Sequence, residues 1–180
     1  IFSPPYLGAS KGLAMITVAK AVRVNETSSF IGAIGIDIYI DTLSDSVLAA
    51  TVLETGYTYL IDSDLNVIMH PDASSSSVQT ICELEFDSCS STNAQAYDTH
   101  IAAAIAVGDI GQWRFLKDDS TAWWVTYAPV NGTSYFMLMT VPEAEVDEIA
   151  EAIRTTGNTA INTVIGLAVA LGLIMLFLGQ

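Results

Sequence analysis

Residues 30–48 read FIGAIGIDIYIDTLSDSVL, and the run from Phe30 to Ile40 predicts a β-strand. Side chains alternate between the two faces of a strand, so the isoleucines at positions 34, 36, 38 and 40 share one face. Asp37 then lies on the opposite face, between Gly35 and Tyr39. A lone carboxylate on a strand belongs either at a solvated edge or against a pocket, because burial without a partner is costly.

The composition argues against two large classes of function. The chain has 180 residues, 51% of them hydrophobic, which is enough for one domain with a sizeable core. Its 6 Lys and Arg stand against 20 Asp and Glu, and a net charge of -14 disfavours any nucleic-acid partner. Neither His70 nor His100 lies in a recognisable catalytic or metal-ligand motif, and no Gly-rich phosphate loop occurs. We therefore predict no enzyme activity, catalytic residue, cofactor or metal site.

Residues 160–180 predict a single transmembrane helix. Positions 160–179 read AINTVIGLAVALGLIMLFLG, an uncharged run long enough to cross a bilayer. A buried soluble helix is the alternative, but such helices normally carry a polar stripe. Small residues four apart, such as Gly166 and Ala170, suggest pairing with another span in a homo- or hetero-oligomer, or reflect the usual Gly and Ala content of such helices.

Two kinds of signal place the remainder outside the cytosol. Asn25 and Asn131 each begin an Asn-X-Thr glycosylation sequon. Cys82 and Cys89, separated by six residues in a Ser-rich stretch, predict a disulfide, with two reduced thiols as the alternative. The chain starts at Ile1 without a signal-peptide pattern, so we expect it to be an internal piece of a longer protein.

Hydrophobic periodicity predicts an α+β order of elements. The strand at residues 30–40 pairs with an earlier one, a helix follows to a Gly56 cap, and a hairpin, a second helix and three more strands come next. Pro142 suits the first turn of a last helix. The predicted boundaries are strands at 13–22 and 30–40, a helix at 43–56, a hairpin at 57–70, a helix at 93–108, and strands at 112–117, 121–128 and 134–141.

Three stretches in this order resemble the double Cache domains, which are extracellular sensor modules of chemoreceptors, histidine kinases and some eukaryotic receptors and channel subunits. They read FSPPYLGASKGLAMITVAKAV, FIGAIGIDIYIDTLSDSVL and ETGYTYLIDSDLNVIMHP. The resemblance implies a PAS-like module with a five-stranded antiparallel sheet and flanking helices. It divides the chain into the end of a membrane-distal module (1–42), a membrane-proximal module (43–141), a juxtamembrane helix (142–159) and the span (160–180).

The same resemblance implies a ligand site. In amine- and amino-acid-sensing members, residues matching Asp37 and Tyr6 contact the ammonium group of the ligand, and Tyr39 would form a wall or offer its ring to the cation. The alternative for Asp37 is a structural role in bonding nearby donors. Apart from the resemblance, His70 stands before Pro71 at the end of a predicted strand, which indicates a structural role, and the alternative is a second pocket in the proximal module that uses His70 with Tyr57 or Tyr59.

The predicted function is that of a receptor: an extracellular domain that senses a small amine or amino-acid-like ligand and signals through the juxtamembrane helix and the span. The alternative is a Cache-domain glycoprotein that serves as an auxiliary channel subunit or as a component of an extracellular assembly. In either case we expect a plasma, ciliary or other secretory-route membrane, with residues 1–141 on the extracellular or lumenal side.

Overall fold

The computed structural model describes residues 1–24, 29–43, 48 and 51–155. Within these ranges the chain forms two antiparallel sheets and three helices longer than one turn. The elements are β1 (Tyr6–Leu7), β2 (Ala14–Val24), β3 (Ser29–Tyr39), β4 (Tyr57–Ile61), β5 (Val67–Met69), α1 (Ile81–Glu85), α2 (Thr92–Val107), β6 (Gly111–Leu116), β7 (Ala122–Pro129), β8 (Phe136–Pro142) and α3 (Glu143–Thr155).

The larger sheet has five strands in the order β5-β4-β8-β7-β6, and every neighbouring pair is antiparallel. This confirms the predicted five-stranded sheet. The connections between β6 and β7 and between β7 and β8 are tight turns, and Gly132 in the second turn has a φ of 78°, a conformation that favours glycine. The last residue of β8 is Pro142, so the prediction that Pro142 starts the final helix is wrong by one residue, since α3 begins at Glu143.

One face of the five-stranded sheet packs against α1 and α2. The shared core contains Tyr59, Ile61 and Leu138 from the sheet, and Tyr97 and Ile101 from α2. Ser91 caps the start of α2 by accepting a hydrogen bond from the backbone of Ala94, and Gly108 ends the helix in the left-handed region. The predicted disulfide between Cys82 and Cys89 is present and joins α1 to the loop before α2.

The smaller sheet, here called the hairpin sheet, has the order β1-β2-β3 and is dominated by the long β2–β3 hairpin. Its base packs against the five-stranded sheet, where Ala14, Ile16 and Ile40 form a second core with Leu60 and Ile68. Away from this base the hairpin sheet is exposed to solvent: the side chains at positions 34 and 36 are 65% and 64% exposed. The hairpin sheet is therefore anchored at one end only within the described residues.

The prediction of a helix running from Leu43 to a cap at Gly56 is wrong at its end. The chain is helical at 41–43, but Val52 and Gly56 form an isolated antiparallel bridge and Leu53 has a φ of 57°. Gly56 is there for close approach rather than for capping, because a Cβ would lie 2.4 Å from the carbonyl oxygen of Val52 and 2.8 Å from that of Thr140.

Two other predictions lie outside the described residues: the sequon at Asn25 and the span at 160–180. Within the described ranges, no helix is both long and hydrophobic enough to cross a bilayer. The predicted juxtamembrane segment 142–159 is described as far as residue 155 and is helical from Glu143.

We expect Gly56→Ala to lower the free energy of unfolding by about 1–3 kcal/mol, because the added methyl group overlaps two backbone oxygens. Gly32→Ala is the matched control, since no atom lies within 4 Å of its Cβ position. Urea denaturation of both variants measures the difference. Equal midpoints for Gly56→Ala and Gly32→Ala would contradict the close-approach role.

Candidate functional site

The first candidate site lies on the hairpin sheet and joins three side chains from three strands. Tyr6 is on β1, Thr17 on β2 and Asp37 on β3, and Thr17 is the register partner of Asp37. The Thr17 hydroxyl donates to Asp37 Oδ1 at 2.7 Å, and the Tyr6 hydroxyl lies 3.1 Å from Oδ1 and 2.6 Å from the Thr17 hydroxyl. The structure thus brings together the predicted pair Tyr6 and Asp37.

The local sequence explains how Tyr6 reaches Asp37. Gly8 accepts a backbone bond from Gly12 and donates one to Leu13, which closes the turn between β1 and β2. A Cβ at Gly8 would lie 2.8 Å from the sulfur of Met15, so the Met15 side chain packs directly over this turn. The hydroxyl of Ser3 also accepts a bond from the backbone of Thr17, fixing the segment before β1 against β2.

Asp37 is exposed and Thr17 is half-buried, so the site is an open surface rather than an enclosed pocket among the described residues. Tyr39 lies two residues further along β3, and the ammonium nitrogen of Lys11 is 5.3 Å from the centroid of its ring. The ring therefore already faces a cation of the chain itself. Sequence reasoning missed Thr17, because its pairing with Asp37 depends on the hairpin register.

The second group, here called the Glu85 cluster, comprises Tyr57, His70, Glu85, Lys117 and Trp123. Glu85 ends α1, and its side chain and that of His70 are 0% exposed. The Tyr57 hydroxyl lies 2.8 Å from both carboxylate oxygens, and His70 Nε2 lies 3.0 Å from Oε1. The Lys117 ammonium lies 3.1 Å from Oε2 and 3.0 Å from the Tyr57 hydroxyl.

The hydrogen bonds assign the protons in this cluster. His70 Nδ1 accepts a bond from the backbone of Asp72, so Nε2 carries the proton and donates to Glu85. Burial and the neighbouring Glu85 raise the pKa of Tyr57, which keeps its hydroxyl a donor. Burial alone would raise the pKa of Glu85, but the bond from His70 and the charge of Lys117 outweigh it, and the pKa lies below its ordinary value.

The three residues predicted for a second pocket lie close together, but only two of them contact Glu85. Tyr57 and His70 both contact Glu85, whereas the Tyr59 hydroxyl bonds the Tyr97 hydroxyl and accepts from Thr140 at 3.3 Å. The Tyr59 ring packs 5.2 Å from the His70 ring. Sequence reasoning did not identify Glu85 or Lys117, because Glu85 ends α1 and Lys117 follows β6, and neither lies in the stretch that contains Tyr57 and His70.

The remaining predicted residues are placed as follows. Asn131 is exposed in the turn between β7 and β8, where the side chain of a sequon is accessible. Among the described residues, no group of three or more His, Cys, Asp or Glu side chains is arranged to hold a metal ion.

No family model matches the chain. The methyl-accepting chemotaxis protein PscA of Pseudomonas syringae pv. tomato is 29% identical over 73 residues, which make up 41% of this chain and 11% of that protein. The chain therefore spans only a small part of this relative's length.

Solved structures resemble the chain over most of its length. The extracellular domain attributed to the histidine kinase mmHK1S-Z3 gives a TM-score of 0.65 with 16% identity, covering 84% of this chain and 52% of that one. The ligand-binding domain of the Pseudomonas aeruginosa amino acid chemoreceptor PctB, in complex with L-Arg, gives a TM-score of 0.56 with 18% identity, covering 94% and 60%. The chain thus has the Cache-like fold of the extracellular sensor domains of chemoreceptors and histidine kinases.

We expect Glu85→Gln to lower the free energy of unfolding by about 1–3 kcal/mol at pH 7, because Lys117 and the His70 N–H lose a charged acceptor. The folded-state pKa of Glu85 lies below its ordinary value of 4.5, so the unfolded chain takes up the proton first as the pH falls. The stability that ionised Glu85 contributes is complete above its ordinary pKa of 4.5, and it is lost as the pH falls through the lower folded-state pKa.

Urea denaturation between pH 7 and pH 3 measures this effect. The difference between the wild type and Glu85→Gln should shrink toward pH 3, whereas the exposed control Glu148→Gln should track the wild type throughout. A constant difference across the range would show that Glu85 is not ionised in the folded chain.

Proposed function

We propose that the chain is part of an extracellular ligand-sensing domain of a transmembrane receptor, and that the ligand is a small amine or an amino acid bound through its ammonium group at Asp37. The observation that carries the proposal is the convergence of Tyr6, Thr17 and Asp37 on one face of the hairpin sheet. The likeness to PctB, whose domain is solved with L-Arg, supports the ligand class.

The chemistry of these three side chains suits an ammonium group. The Thr17 hydroxyl directs its proton to Asp37, and the Tyr6 hydroxyl directs its own to Asp37 or to Thr17, so both hydroxyl oxygens keep lone pairs for a donor. An ammonium group carries N–H donors, and its bond to a carboxylate is charge-assisted. The net charge of -14 also attracts cations to the surface.

A receptor must connect the ligand site to its output. β3 continues from Asp37 to Tyr39, and the next residue, Ile40, is buried against the five-stranded sheet. From that sheet, Arg114 on β6 makes a two-point ion pair with Glu143 at the start of α3, with distances of 2.6 and 2.7 Å. A ligand can shift α3 only by binding one arrangement of these contacts better than another. We propose that α3 leads to a membrane span at 160–180.

A second candidate function is contact with another protein chain, as in an auxiliary channel subunit or an extracellular assembly. One observation favours it: β3 carries four exposed large apolar side chains, at positions 30, 31, 34 and 36. The calorimetric titration below separates the two candidates, because a surface used only for protein contact would not bind an amine through Asp37.

We expect Asp37→Asn in the full-length protein to weaken binding about 10- to 100-fold, because the ligand ammonium loses its charged acceptor. The measurement is isothermal titration calorimetry with the common L-amino acids, starting with L-arginine. Asp41→Asn is the control, since Asp41 is also an exposed carboxylate just after β3. Unchanged affinity with Asp37→Asn, or no binding of any amino acid to the wild type, would overturn the ligand assignment.

The contact between α3 and the segment before β4 yields a separate prediction. Glu145 accepts bonds from the backbone of Glu54 at 3.0 Å and of Thr55 at 3.1 Å, and also from the Thr55 hydroxyl. Glu145→Ala removes the acceptor, so we expect the amides of Glu54 and Thr55 to exchange with deuterium about tenfold faster. Glu148→Ala, at an exposed position on the same helix, is the control and should leave that exchange unchanged. Unchanged exchange in Glu145→Ala would show that this contact does not hold α3 against the segment before β4.

A further inference from the structure

The Glu85 cluster has the composition of a site for a positively charged group. It combines one buried carboxylate with two aromatic rings and a phenolic oxygen. The Lys117 ammonium occupies it: the nitrogen lies 4.2 Å from the centroid of the Trp123 ring and 5.5 Å from that of Tyr57. Carboxylate, aromatic face and hydroxyl are the groups that recognise an alkylammonium ion in proteins.

The walls of this site are held independently of Lys117. Tyr57 and His70 each bond the carboxylate of Glu85 directly, and they come from β4 and from the end of β5. Trp123 is on β7, and its indole N–H donates to the hydroxyl of Thr121 at 3.0 Å. Removal of the lysine side chain therefore leaves the carboxylate oriented by two donors.

Lys117 reaches the site from its solvent side. Its side chain is 22% exposed, whereas those of Glu85 and His70 are 0% exposed. Its backbone is fixed separately, since its N–H donates to Thr121 at 2.9 Å and its carbonyl accepts from Ser120 at 3.0 Å. The lysine side chain thus closes the entrance, while the turn that carries it does not depend on the ammonium contact.

We propose that the Glu85 cluster is a binding site for a primary alkylammonium ion, and that the chain's own Lys117 occupies and closes it. A primary ammonium fits because the bound nitrogen donates hydrogen bonds to both Glu85 and Tyr57, which a quaternary ammonium cannot do. A group held on the chain beside its site acts at an effective concentration far above that of the added free amine, so the free amine does not displace it. This site is separate from Asp37 and does not rest on the proposed function.

The test replaces the tethered ammonium with a free one. Lys117→Ala removes the side chain beyond Cβ, and n-propylammonium restores the removed atoms. We expect n-propylamine hydrochloride, at concentrations about ten times its millimolar dissociation constant, to raise the unfolding temperature of Lys117→Ala by about 3–5 °C at constant ionic strength. The wild type should not respond, nor should Lys117→Met, whose apolar side chain fills the same entrance.

Two further probes test whether the charge, the N–H donors and the alkyl chain of the amine are each needed for binding. Tetramethylammonium chloride has the charge without N–H donors, and 1-propanol has the chain without the charge, so neither should stabilise Lys117→Ala. The double variant Glu85→Gln, Lys117→Ala should respond at least tenfold more weakly to n-propylammonium. The proposal is overturned if n-propylammonium has no effect on Lys117→Ala, or if either probe or the Lys117→Met variant gives an equal rise.

A measurement on the wild-type protein remains decisive if Lys117→Ala fails to fold. Reductive methylation requires a solvent-accessible amine, and Lys11 and Lys20 are exposed. We expect Lys117 to react at least tenfold more slowly than Lys20, as read by mass spectrometry of peptides. Equal rates would show that the ammonium group of Lys117 does not reside in the site.

Discussion

The buried carboxylate of Glu85 is the constraint on which the five-stranded sheet depends. A charge removed from water is stable only when donors and positive charge surround it. Glu85 obtains them from β4, from the end of β5 and from the turn after β6, and β5 and β6 are the two edge strands of the sheet. The carboxylate is therefore satisfied only when both edges and α1 are in place.

The hairpin sheet is stabilised differently. Its base is held by apolar packing between Ile40 and Leu60 and by the hydrogen bond from the Tyr135 hydroxyl to the carbonyl of Ser3 at 2.8 Å. Toward its other end the side chains become exposed. Asp37 lies between these two regions, so a group bound there is close to the packed base. Because packed interfaces are poorly compressible, the proposed receptor would pass a displacement at the base to the five-stranded sheet.

Local patterns predicted most of the secondary structure. Period-two alternation located the strands of both sheets, and the Ala-rich run ending in Gly108 located α2. The pattern failed where long-range contact overrides it: Gly56 resembles a helix cap, but the backbone of Thr140, far along the chain, decides its role. The short elements β1 and α1 were missed, because strands of two residues and helices of five carry too few residues to show a period.

The candidate sites divide in the same way. Sequence resemblance pointed to Tyr6 and Asp37, and the strand that ends at His70 suggested His70 with Tyr57, because these residues lie in short contiguous stretches of the chain. Their partners Thr17, Glu85 and Lys117 carry no such signal. Thr17 faces Asp37 only through the hairpin register, and Lys117 meets Glu85 only after the sheet has closed.

The sequence by itself determined the class of the protein: an acidic α+β chain with strand-rich segments, a cysteine pair and an apolar final segment. Composition and charge are sums over residues, and strand or helix patterns are local repeats, so all of them can be read from the sequence without knowledge of the fold. The tertiary structure alone decided which charges meet. Glu85 and Lys117 are 32 positions apart in the chain, and their attraction depends on the three-dimensional distance between the two charged groups, which the sequence does not specify.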